Sequence, residues 1–360
     1  MKSRYMLVVA LVACMMLAAT TMAAAQAPAD PNAPATPAAA PKAAVPNVET
    51  TATPYHIVKQ FDLGGAGGWD YIAYDQVDNR LYVARGDHVA VVDAAAGKEL
   101  AKIAGTGIHG TAVSHDANVG FITNGKSNDV TVFDIKTFKP IEQVKTGTGP
   151  DAIHYDAATK TVVVSCNKGK QISFIPAAAT AGKPREAMTI DVGGAPEAGI
   201  SDGEGHSYVN LEDTHEVIVL DNKARKVTAR YSVAPEKTPV GMAMDVKNRL
   251  LFSSCRSGKM VILNADTGKI IATLPIGGGT DAAAFDPATG RAFSSGGAAP
   301  GTVSIIQMES PTKFSVLQHL KTLPKAKTMA LNSKDHLIYT VTMADDASGA
   351  KSFQVLVIGK

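Results

Sequence analysis

Gly120–Ile153 reads GFITNGKSNDVTVFDIKTFKPIEQVKTGTGPDAI. Three strand-forming runs, Phe121-Ile122-Thr123, Val130 to Phe133 and Ile141 to Val144, alternate with the turn formers Asn124-Gly125 and Gly149-Pro150. Val, Ile, Thr and Phe suit a pleated, half-buried strand, whereas Asn-Gly and Gly-Pro suit chain reversals. The same unit is written about seven times between Tyr55 and Lys360. It recurs every 40 to 46 residues or so, the spacing of four-stranded propeller blades.

The repeat is legible in three columns. Second strands carry Tyr82, Phe121, Val163, Tyr208, Phe252, Phe293 and Tyr339. Third strands begin VAVVD at Val89, VTVFD at Val130, ISFI at Ile172, VIVLD at Val217, VILN at Val261 and VSII at Val303. First strands end on Asp75, Asp116, Asp156, Asp202, Asp245, Asp286 and Asn332. One such unit cannot bury both faces of its sheet, so neighbours must stack, and closing seven into a ring leaves only short edges. The last unit stops at its third strand, Phe353 to Ile358, while the run Tyr55–Phe61 has no blade of its own. The expectation is an all-β, seven-bladed propeller (55–360) latched by the N-terminal strand. A parallel β-helix or stacked sandwiches account less well for the spare and missing strands.

The segments FITN, DVTVFD and GPDAI resemble the YVTN-type repeat of YncE-like seven-bladed propellers, a WD40-like architecture. The resemblance covers essentially all of 55–360, strongest in the second and fifth units and weakest in the last two. It implies the fold and a binding role without specifying a partner, because one ring hosts both binding proteins and enzymes.

Lys2 and Arg4 precede an apolar run from Tyr5 to Ala19, and Ala23-Ala24-Ala25 follow, the pattern of a secretory leader (1–25) cleaved after Ala25. Leu11-Val12-Ala13-Cys14 also resembles a lipoprotein box, but the apolar run continues past Cys14. Residues 26–54 are Ala/Pro-rich and bury too little to order themselves, so a tether is expected. The implied location is periplasmic or secreted, with no membrane span in the mature chain. The formal charge is +2 from 35 basic and 33 acidic residues, and losing Lys2 and Arg4 leaves 33 against 33. A neutral chain does not recommend nucleic acid as a partner. Cys166 and Cys255 fall in the third and fifth units, too far apart for a disulfide. Two separate buried thiols are expected, with a shared soft-metal or redox role as the alternative.

Three motif matches lack the structural context their chemistry needs. GFITNGKS (Gly120–Ser127) has the phosphate-loop pattern, but its first half is a strand and another strand follows. GISDG (Gly199–Gly203) has the nucleophile-elbow pattern, but Ser201 aligns with Tyr74, His115 and Tyr155 on first strands. Ser165-Cys166-Asn167-Lys168 matches S-x-x-K outside any helix. His109 and His115 are six residues apart, roughly 20 Å along a strand, and cannot share a metal.

One constellation converges by geometry. In a propeller the first residues of the innermost strands line one mouth of the axial channel. Counting five back from each turn residue gives Asp70, Thr111, Asp151, Glu197, Val240, Asp281 and Lys327. His109 lies two residues before Thr111, and Trp69 precedes Asp70 in GGAGGWD. Facing loops add Arg85, Asn124, Lys126, Asn167, Lys168, Glu212 and Arg256. Such a mouth suits a protein segment or polar small molecule, and no cofactor is required. If a cation is held, Asp151, Glu197 and Asp281 suit Ca²⁺. Acids at strand starts also commonly bond backbone amides or face water. The reading is a non-catalytic binding module. The alternatives are a Ca²⁺-type lactonase or hydrolase with His109 as base, and an accessory propeller of a periplasmic redox system.

Overall fold

The computed structural model describes residues 54–345 and 348–360. The expected leader and, apart from Pro54, the expected tether lie outside the described residues. Every regular element described is a strand, and 28 strands form seven four-stranded antiparallel sheets. No described helix is long and apolar enough to cross a membrane.

Two-residue periodicity explains how each blade packs. In the second strand Arg80–Ala84, Leu81 and Val83 face the seventh blade while Tyr82 and Ala84 face the second. The same alternation in every blade produces seven apolar clusters, one at each junction between neighbours. The aromatic column supplies the bulk, with Tyr82, Phe121, Tyr208, Phe252, Phe293 and Tyr339 all buried. The ring closes as expected. His56–Asp62 pairs antiparallel with Lys351–Gly359 and becomes the outer strand of the last sheet, with a register shift between Ile57 and Lys59.

The innermost strands are Ile72–Asp75, Ile108–Ser114, Pro150–Asp156, Pro196–Ser201, Pro239–Asp245, Ala283–Asp286 and Met329–Asn332. Their lower ends are clipped between blades. Asp75 Oδ1 lies 2.8 Å from His115 Nε2, Asp202 accepts from Arg249 at 3.1 Å, and Asp286 Oδ2 lies 2.8 Å from His336 Nδ1.

One column needs correction. Ser114, not Asp116, ends the second blade's first strand: Ser114 pairs with Val119 as Asp75 pairs with Arg80. Asn79 and Asn118, both at φ 54°, close the equivalent turns four residues after Asp75 and Ser114. Asp116 sits inside that turn, exposed. Five back from Ser114 is His109, so His109 replaces Thr111 in the mouth column.

Phe353 is fully buried at the latched junction, against the Trp69 ring (5.6 Å between centroids) and beneath the Arg85 guanidinium (3.8 Å). Phe353→Ala should cost about 3–5 kcal/mol in urea unfolding followed by Trp69 fluorescence. Val77→Ala, at a side chain 62% exposed, should change stability by less than about 0.5 kcal/mol. Equal effects would mean that this junction does not hold the ring.

Candidate functional site

The corrected column reads Asp70, His109, Asp151, Glu197, Val240, Asp281 and Lys327, one residue per blade. Its backbone is held by a second column that sequence reasoning missed. Two residues after the aromatic, Thr123 Oγ1 donates to the Asp151 carbonyl (2.7 Å) and Ser165 Oγ to the Glu197 carbonyl (2.7 Å). Asn210 Nδ2 donates to the Gly241 carbonyl at 3.0 Å, and Ser295 Oγ to the Lys327 carbonyl. Thr328 Oγ1 likewise donates to the Asp70 carbonyl at 2.8 Å. Each of the first four polar groups lies on one blade and grips the strand start of the next. The signal was available as a Thr, Ser or Asn at fixed distance from the aromatic.

The side chains form a linked set of charges. His109 Nδ1 lies 2.6 Å from Asp70 Oδ2 and 3.5 Å from Asp151 Oδ1. Lys327 Nζ donates to Asp281 Oδ2 at 2.6 Å and lies 3.6 Å from Asp70 Oδ1. Arg256 bridges Asp281 Oδ1 (2.8 Å) and Glu212 Oε2 (3.3 Å). Asn167 Nδ2 donates to Glu212 Oε1 at 3.3 Å. Tyr71 OH donates to Glu197 Oε2 at 2.8 Å, from the first blade to the fourth.

Other expected site residues are engaged elsewhere. Trp69 packs edge-on against Phe353, and Arg85 lies over the same ring with Nη2 3.5 Å from the Gly64 carbonyl oxygen. Asn124 is buried, bonding Asp129, Thr131 and the Thr106 amide within and beside its own blade. Lys126 and Lys168 are exposed. Val240 is buried, and Thr111 lines the channel below the mouth. Two three-donor groupings occur among the described residues, Asp70–His109–Asp151 and Asp75–Asp78–His115. The expected trio Asp151, Glu197 and Asp281 is not one of them. Cys166 and Cys255 are separate buried thiols, both raised in pKa by burial, which suppresses thiolate chemistry. Residues 120–127 run from strand into turn with no helix, and Ser201 Oγ donates to Asp156 at 2.5 Å.

Compensation is uneven around the mouth. Asp281 has both an ammonium and a guanidinium, whereas Glu197 has only the phenol. Burial, then the Asp151 and Glu212 charges, push Glu197 up to about 9 against the Tyr71 bond and Arg256. Burial pushes Asp151 up to about 6, with Asp70 and Glu212 adding and His109 and Lys327 opposing. The Asp70 bond holds His109 above its ordinary value, Asp151 adding to it against burial and Lys168. Burial disfavours the Lys327 charge, but Asp70 and Asp281 outweigh it and raise its pKa.

No protein-family model matches the chain, and no curated protein matches it either. Solved structures do. The structure of RRP9 WD40 repeats superposes with a TM-score of 0.70 at 10% identity, covering 83% of this chain and 97% of that one. The structure of U3-55K gives 0.69 at 10% identity, with 82% and 98% covered. A chain in the mitotic checkpoint complex gives 0.69 at 13% identity, with 89% and 98% covered. The likeness is one of fold.

A carboxyl whose folded pKa is raised binds its proton more tightly folded than unfolded, so its contribution to stability is full below the unfolded value and falls as pH rises toward the folded one. For Glu197 that window runs from about 4.3, the unfolded value, to about 9. Glu197→Gln removes this loss. Relative to wild type, it should gain about 1.4 kcal/mol or more between pH 5 and pH 9, one pKa unit being worth that much. Parallel stability curves from denaturant melts across that range would show Glu197 to be ionised throughout.

Proposed function

We propose that the chain is an exported propeller of the YncE-like kind that acts as a non-catalytic binding module, taking a polar small molecule or protein segment at the channel mouth. The observation that carries this is the linked set of ionisable groups on six of the seven strand starts. It is a polar surface to which every blade contributes, the fifth through Arg256, and it is held in place from behind by the hydroxyl and amide column. Preorganisation of this sort lowers the cost of binding, since little side-chain freedom is left to lose. The mouth carries five carboxyls, Asp70, Asp151, Glu197, Glu212 and Asp281, against Lys327, Arg256 and His109. The excess favours ligands that bring cationic or hydrogen-bond-donating groups. WD40-type neighbours of the same fold, one of them in the mitotic checkpoint complex, are consistent with an interaction role.

The geometry argues against the Ca²⁺-dependent hydrolase. Lys327 and Arg256 already sit on Asp281, where that reading needs a metal. His109 Nδ1 is held by Asp70 Oδ2 at 2.6 Å, a bond that raises its pKa. No residue of the mouth specifically favours the redox-accessory reading.

Immobilised wild-type chain should retain a component of periplasmic extract that an Asp151→Lys/Glu212→Lys variant of unchanged melting temperature releases. Equal retention by both would remove the mouth from the binding surface. The export reading is checked separately: mass spectrometry of the protein secreted by a bacterial host should give a chain beginning at Gln26. Retention of residues 1–25 would overturn it.

A further inference from the structure

We propose that Asp70, His109 and Asp151 together bind one divalent transition-metal ion, Zn²⁺ or Mn²⁺, at the channel mouth. The proposal goes beyond the binding reading and does not depend on any docked partner. The three residues occupy consecutive positions of the mouth column, on the first, second and third blades. One imidazole nitrogen, His109 Nδ1, faces both carboxylates, at 2.6 Å from Asp70 Oδ2 and 3.5 Å from Asp151 Oδ1, and the ion would replace the proton that Nδ1 shares with Asp70, releasing it to solvent. All three donor atoms lie within 4.8 Å of one another. Bonds of about 2.0–2.2 Å hold donors about 3.3–3.6 Å apart around a tetrahedral ion, so the Asp151 separation already fits and the Asp70–His109 pair must open by somewhat under 1 Å.

The donor chemistry selects the ion. An imidazole with two carboxylates suits borderline transition metals, whereas Ca²⁺ asks for six to eight oxygens. Asp70 turns its other oxygen, Oδ1, towards Lys327 at 3.6 Å, which leaves Oδ2 directed at the site. Such outer contacts orient ligands. Gly125 leaves room for the ring, since a Cβ there would fall 2.7 Å from His109 Nε2. All three side chains keep 20–35% exposure, so an ion can enter from the mouth.

A channel cavity lies one residue further along the chain from each donor, and the donors themselves do not line it. Tyr71, Gly110 and Ala152, the residues immediately after the three donors, line a channel cavity of about 160 Å³. At about 30 Å³ each, this accommodates roughly five waters. Thr111 also lines it, only 7% exposed, and its Oγ1 has no hydrogen-bond partner among the described residues. An ion with three protein donors keeps a fourth position for water. The second grouping, Asp75–Asp78–His115, is committed to structure. Asp75 Oδ1 accepts from the Val77 and Asp78 amides, and Asp78 pairs with Arg80.

The test is calorimetric titration of untagged, chelator-stripped full chain with ZnCl₂ and, separately, MnCl₂. One ion per chain is expected for at least one metal. His109→Gln and Asp151→Asn should each raise its Kd at least tenfold, while His115→Gln leaves it unchanged. Circular dichroism and thermal melts confirm that each variant is folded, and Asp151→Asn decides the matter if His109→Gln is not. Absence of binding, binding indifferent to Asp151→Asn and His109→Gln, or binding lost in His115→Gln would each overturn the proposal.

Discussion

The structure depends on one constraint: a four-stranded blade has two apolar faces and can bury neither alone. Seven junction cores satisfy that requirement only if the last blade meets the first. The latch strand His56–Asp62 ties that junction from both sides, hydrogen-bonded to the final strand and continuing along the chain into the first blade. Apolar packing between blades is therefore what fixes the mouth geometry. Strand starts separated by more than two hundred residues in sequence, such as Asp70 and Lys327, come within 3.6 Å because the ring is closed.

Closure brings like charges together, and the mouth shows how the chain limits that cost. Asp281 is the best compensated acid, Asp70 is shared between His109 and Lys327, and Glu197 is left with a neutral donor. Burial makes an uncompensated carboxylate expensive, so Glu197 favours its protonated form, while Lys327 remains charged because two acids hold it. The gradient runs from an ion-paired side near the sixth and seventh blades to a proton-rich side near the third and fourth. It belongs to the arrangement, since no single residue carries it.

Fold and latch were legible in the sequence because alternation and turn chemistry are local signals repeated seven times. Copies that drift, such as Val163 in the aromatic column, are outvoted by the others. The mouth was legible in part, because it required counting along strands from a turn marker. In the second blade an acid inside the turn, Asp116, displaced the true marker Ser114 and put Thr111 where His109 belongs. Loop residues fared differently. Arg256, Glu212 and Asn167 reach the mouth, but Arg85 and Asn124 do not. Aromatic stacking on Phe353 and hydrogen bonding within a blade captured those two, and neither competitor is visible from loop position. Tyr71 escaped notice because the signal is a size anomaly in the column next to the mouth.

That anomaly has a geometric consequence. The residues following the mouth column are Tyr71, Gly110, Ala152, Ala198, Gly241, Ala282 and Thr328, with a single bulky member. Gly110 and Gly241 are as small as their neighbours require, since a Cβ at Gly241 would fall 2.5 Å from the Ala282 backbone. A near-sevenfold ring would offer an incoming molecule seven almost equivalent poses. One phenol laid across the axis to Glu197 acts as a crossbar, breaking that rotational degeneracy and leaving a floor with a single preferred heading.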